Sequence, residues 1–145
     1  MYWDSSPFGL RITVSFMNKK FKKDFTPNEA NKRLPYIKKI VGEILDKGRD
    51  FQLERIKSEN EDATERSLAL HSEIECLTLE LEDLGCFFKD WNFEIGLVDF
   101  PAKINGQEVF LCWKSDEPDV RFYHTIDAGY STRQPVPEIY LNSLS

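Results

Sequence analysis

Small or apolar side chains recur at Ala30, Leu34, Ile37, Val41, Ile44, Gly48 and Phe51, alternately four and three residues apart, which keeps them on one stripe of an α-helix. The same spacing returns at Ala63, Ser67, Leu70, Ile74, Leu77, Leu81 and Leu84. Two such stripes, separated by the polar stretch Lys57 to Asp62, bury each other most simply as an antiparallel hairpin resembling a two-stranded coiled coil over residues 26–85. The first helix has a clear start. Thr26 can accept from a free backbone N–H, Pro27 suits the first helical position, and Glu29 completes a T-x-x-E capping box. Pro35 falls inside the pattern and predicts a kink or a loosely formed first turn. Gly85 is placed to end the second helix in the left-handed conformation.

After Gly85 the period switches from helix to strand. Leu97 to Pro101, Glu108 to Lys114 and Val120 to Thr125 read as three strands, and Asn105-Gly106 is a strong two-residue hairpin signal. The expected fold is therefore α+β, a long helical hairpin followed by a small antiparallel sheet of about three strands at 86–136. Residues 25–136 make a single domain, with an N-terminal leader at 1–24 and a C-terminal tail at 137–145. Within the leader, Met17 is an alternative start, and the alternation of Leu10, Ile12 and Val14 is a competing short strand.

The turn also dictates which polar residues meet. If Asn105-Gly106 forms the turn, residues whose numbers sum to 211 face each other, so Asp99 opposes Cys112 with both side chains on one face. Pairing Cys112 with Phe122 in the next hairpin brings His124 to that face. A carboxylate, a thiol and an imidazole can bind a borderline metal such as Zn²⁺, and an imidazole can activate a thiol as a nucleophile. Alternatively, Cys112 is a small buried hydrophobe and Asp99 and His124 form a structural hydrogen-bonded pair. The same register puts Trp113 on the opposite face, packed on the helices or in a cation–π contact with Arg121. His71 reads as a partly exposed helix residue. Arg133, in a Gly- and Pro-rich loop, suits carboxylate or phosphate recognition, or a salt bridge to Glu117 or Asp127.

The segments FTPNEANKRLP (25–35), GLVDFPA (96–102), EVFLCW (108–113), FYH (122–124) and GYSTRQP (129–135) together resemble the bacterial domain of unknown function 2203, DUF2203. The resemblance spans residues 25–136. It marks Asp99, Pro101, Cys112, Trp113, Glu117, His124, Gly129, Arg133 and Pro135 by position and implies no activity. The chain departs from the family pattern at Asp116, Tyr123 and Thr132.

Charge narrows the partners. A formal net charge of −6 argues against nucleic-acid binding, since the one basic cluster is Lys19, Lys20, Lys22 and Lys23. Three cysteines without CxxC spacing fit neither a disulfide framework nor a zinc ribbon and suit a reducing, cytoplasmic setting. No apolar run is long enough for a membrane span. The leading expectation is a cytoplasmic binding or interaction module. The competing one is a metal- or cysteine-dependent enzyme, or a small-ligand binder, centred on Asp99, Cys112 and His124. Ile40, Leu45, Leu53, Leu68 and Leu79 lie off the stripes, so either the sheet or a second copy, giving a homodimer through the helices, should cover them.

Overall fold

The computed structural model describes residues 24–58 and 64–141. The expectations for Met17, for the strand around Ile12 and for the basic cluster lie outside these residues, as does Ala63.

Helix α1 runs Pro27–Ser58 and α2 Glu65–Leu84. The Thr26 capping box forms in both directions. The Glu29 N–H donates to Thr26 Oγ1 at 3.1 Å, and the Thr26 N–H donates to Glu29 Oε1 at 3.0 Å. Thr64 caps α2 through the Ser67 N–H at 3.0 Å, and Gly85 closes it at φ 98°. The helices run antiparallel: Tyr36 reaches Glu80, Lys47 reaches Glu73 and Asp50 reaches Arg66, so residue numbers rise on one helix as they fall on the other. α1 passes through Pro35 without losing its helical assignment.

The sheet corrects the expected count. Among the described residues it has five antiparallel strands in the order β1-β2-β3-β4-β5: Phe87–Phe88, Leu97–Ile104, Gln107–Lys114, Phe122–Thr125 and Gln134–Pro135. The two additional strands are edge strands of two residues each, too short to display an alternation. The central hairpin has the expected register, with Asp99 opposite Cys112, and its turn residues Asn105 and Gly106 both take positive φ, 55° and 78°.

Two sheet faces result. Val98, Phe100, Ala102, Ile104, Val109, Leu111 and Trp113 join Ala30, Leu34, Ile37, Val41, Ile44, Ile74 and Leu81 in one core. The helical stripes are therefore buried against the sheet as well as against each other, unlike those of an isolated coiled coil. Trp113 is buried there, and its Nε1–H donates to the Glu117 carbonyl at 3.0 Å. Arg121 does not stand opposite Trp113, because β4 begins one residue later; it pairs instead with Asp119. Val120 turns into the core, and the Asn31 side chain satisfies both its N–H (2.7 Å) and its carbonyl (3.2 Å).

Ile40 is buried and Leu45 packs against the core, whereas Leu53, Leu68 and Leu79 are exposed in the single chain. In the tail, Glu138–Leu141 forms a short helix, α3, and the Tyr140 hydroxyl accepts from the Asn105 N–H at 2.9 Å. Among the described residues no helix is long and apolar enough to cross a membrane.

Candidate functional site

The face turned away from the helices carries Asp99 on β2, Cys112 on β3 and His124 on β4. Pairing explains the convergence. Asp99 stands opposite Cys112, Cys112 opposite Phe122, and His124 opposite Phe110, so all of these side chains emerge on the same side of the pleat. All three polar groups are buried, and each offers an O, S or N atom within 4.8 Å of the other two.

The His124 ring is oriented from both ends. Nδ1 lies 2.9 Å from the Thr125 carbonyl, which can only accept, so Nδ1 carries a proton. Nε2 is directed at the Asp99 carboxylate, 3.2 Å from Oδ1 and 3.1 Å from Oδ2. Burial opposes protonation of His124. The hydrogen bond and charge of Asp99, with help from the Thr125 carbonyl, outweigh both that and the repulsion from Lys89, leaving the imidazole above its ordinary value.

Cys112 is in the opposite situation. Burial first, and then the negative charge of Asp99, push its thiol up to about 12 against the lowering influence of Arg133. At neutral pH it is a thiol, not a thiolate, and a nucleophilic role has no support from this environment.

Lys89, which the sequence reading does not single out, completes the cluster. It follows β1, its N–H donates to the Leu97 carbonyl at 2.8 Å, and its Nζ lies 3.9 Å from Asp99 Oδ2, over the Phe110 and Phe87 rings. It would be legible only if Phe87-Phe88 were first recognised as a strand paired with β2. The intervening loop gives no hairpin signal; it is organised by the Asp90 carboxylate, which accepts from the N–H groups of Asn92, Glu94 and Ile95.

A cavity of about 180 Å³ opens beside the three groups. Asp99, Cys112, His124 and Lys89 form its polar part, and Leu97, Phe110, Ile126 and Ala128 its apolar wall; exposed Gly129 stands at its edge. Among the described residues, Asp99, Cys112 and His124 are the group that could hold a metal.

Glu117 and Arg133 do not line this cavity. They form a two-pronged ion pair with each other, Arg133 Nη1 donating to Glu117 Oε1 at 3.0 Å and Nη2 to Oε2. The guanidinium lies 4.2 Å over the Phe122 ring, and Glu117 Oε1 also accepts from the Lys114 N–H at 2.9 Å. The pair ties the loop before β5 to the turn after β3. Of the two partners expected for Arg133 it is Glu117, while Asp127 accepts instead from the Thr125 hydroxyl. His71 is half-buried on α2 beside Phe51.

The family described as "Uncharacterized conserved protein (DUF2203)" matches residues 23–136. Comparison with curated proteins and with solved structures finds no match.

Proposed function

The chain belongs to the DUF2203 family, and from that premise and the geometry above we propose that it is a binding module whose sheet cavity takes a small ligand. The observation that carries this reading is a buried carboxylate, imidazole and thiol forming the floor of a cavity whose wall is apolar. A fold that needed these groups only for cohesion would gain by closing over them, because space beside buried polar groups forfeits packing contacts. Binding pockets characteristically combine an apolar wall with a few convergent polar groups. The helical pair backs the sheet from the other side, so the floor rests on a packed layer.

Ala128→Phe tests the reading, since the added ring projects from the cavity wall. In a thermal-shift screen of small polar compounds, a ligand of the cavity should raise the melting temperature of the native protein and not that of the variant. A hundredfold excess over Kd would stabilise by about 2.7 kcal/mol. Equal shifts in both proteins would place the ligand elsewhere and count against the cavity.

A further inference from the structure

We infer that the ligand held by the cavity floor is a divalent metal ion of the Zn²⁺ type, bound by Asp99 Oδ, Cys112 Sγ and His124 Nε2 with its remaining position open to the cavity. The inference rests on the reading of the cavity as a binding site and names what binds there.

The tautomer provides the first argument. With Nδ1–H donated to the Thr125 carbonyl, neutral His124 turns the lone pair of Nε2 on two carboxylate oxygens. Lone pairs so opposed require a proton or a cation between them. A backbone carbonyl on Nδ1 with Nε2 presented to the metal is also the arrangement that orients metal-binding histidines.

Distances supply the second argument. A tetrahedral centre with bonds of about 2.0–2.1 Å to nitrogen and oxygen holds those two atoms about 3.3 Å apart. The observed separations are 3.2 and 3.1 Å. With a bond of about 2.3 Å to sulfur, Sγ would stand about 3.5 Å from each, so closure from within 4.8 Å asks for a movement of at most about 1.3 Å. An N, O and S donor set with one position left for an exogenous ligand suits zinc or cobalt better than magnesium or calcium, which prefer oxygen. On binding, the Cys112 thiol gives up its proton to solvent as the metal–sulfur bond forms.

The experiment uses the full chain carrying Cys76→Ser, which removes the exposed thiol, stripped with a chelator and titrated with Co²⁺ and then Zn²⁺. The expected result is one Co²⁺ per chain, a thiolate-to-cobalt charge-transfer band with the visible absorption of a tetrahedral site, and loss of both as Zn²⁺ displaces it. Cys112→Ser should abolish the charge-transfer band, and His124→Ala should weaken Zn²⁺ binding at least as much as outer-shell changes do, roughly 10- to 100-fold. Circular dichroism of each variant verifies folding. Should a variant not fold, the band and the displacement in the parent chain decide the matter alone. If the parent binds no Co²⁺ or Zn²⁺, while a compound from the screen stabilises it and not its Ala128→Phe variant, the metal is overturned and the cavity reading stands. If neither metal nor compound binds, both fall.

Discussion

Asp99 and His124 belong to strands that are not neighbours, yet their side chains meet over the middle strand. β3 separates β2 from β4, and the carboxylate, from a position paired with Cys112, and the imidazole, from one paired with Phe110, span that gap to within 3.1 Å. The contact pins three strands at once.

It also couples stability to pH. In the metal-free protein His124 sits above its ordinary 6.5. A group whose folded pKa exceeds its unfolded value contributes stability that is fully present below the unfolded value and lost as pH rises through the folded one. The urea midpoint of the metal-free protein should therefore decline as pH rises above about 6.5 and through the raised folded value, and His124→Gln should flatten that slope. With Zn²⁺ present the trend should reverse, since proton loss from the ligands favours metal. A metal-free midpoint that rises as the pH is taken above 6.5 would contradict the raised value of His124.

Thiol reactivity divides the cysteines. Cys76 is exposed, whereas burial pushes both Cys86 and Cys112 up to about 12. Iodoacetamide at pH 8 should add one carboxamidomethyl group rapidly, on Cys76, and the other two only on unfolding. Peptide mapping that finds Cys112 modified first would restore the nucleophile reading.

Two glycines of α1 should respond in opposite senses to alanine. At Gly42 a Cβ meets nothing within 4 Å among the described residues, so Gly42→Ala should stabilise by about 0.5–1 kcal/mol through helix propensity. At Gly48 a Cβ would lie 2.2 Å from the buried Phe93 ring, and Gly48→Ala should cost about 1–3 kcal/mol. Denaturant unfolding of both variants checks the pair.

Glu117 and Arg133 are about one-seventh exposed, with side-chain values of 14% and 13%. Arg133→Met leaves Glu117 unpaired and should cost about 3 kcal/mol, the lower end for a broken buried pair. Adding Glu117→Gln should recover part of that loss. A double-mutant cycle with no coupling would mean that the pair does not hold the loop.

Thr26→Ala should cost about 1 kcal/mol by removing the cap of α1. An unchanged denaturation midpoint would mean that the reciprocal bonds with Glu29 add nothing.

How far the fold can be read from the chain depends on how local each signal is. The stripes from Ala30 to Phe51 and Ser67 to Leu84, the Thr26 box and the Asn105-Gly106 turn each act within a few residues, and each is legible. From that turn the Asp99–Cys112 register follows arithmetically, and with it the convergence on His124. What escapes depends on partners remote in sequence. Phe87-Phe88 is a strand only because β2 lies beside it, Lys89 reaches Asp99 only through that pairing, and Val120, two residues before β4, is held in the core by Asn31 from a helix 89 residues away. The cavity itself is a product of loop conformation after β4, for which periodicity carries no information.

The division of the sheet into a helix-backed face and a cavity face has a practical meaning for changes in chain length. Every described residue lining the cavity falls between Lys89 and Gly129, whereas the stretch of the hairpin around Leu53 and Leu68, where the helices contact each other and Gln52 donates to the Asn92 carbonyl, contributes no lining residue. Whole turns could be inserted or removed there without moving a wall of the cavity. The end of the hairpin is thus the natural place to splice in a reporter or an affinity handle while leaving the pocket's chemistry as it is.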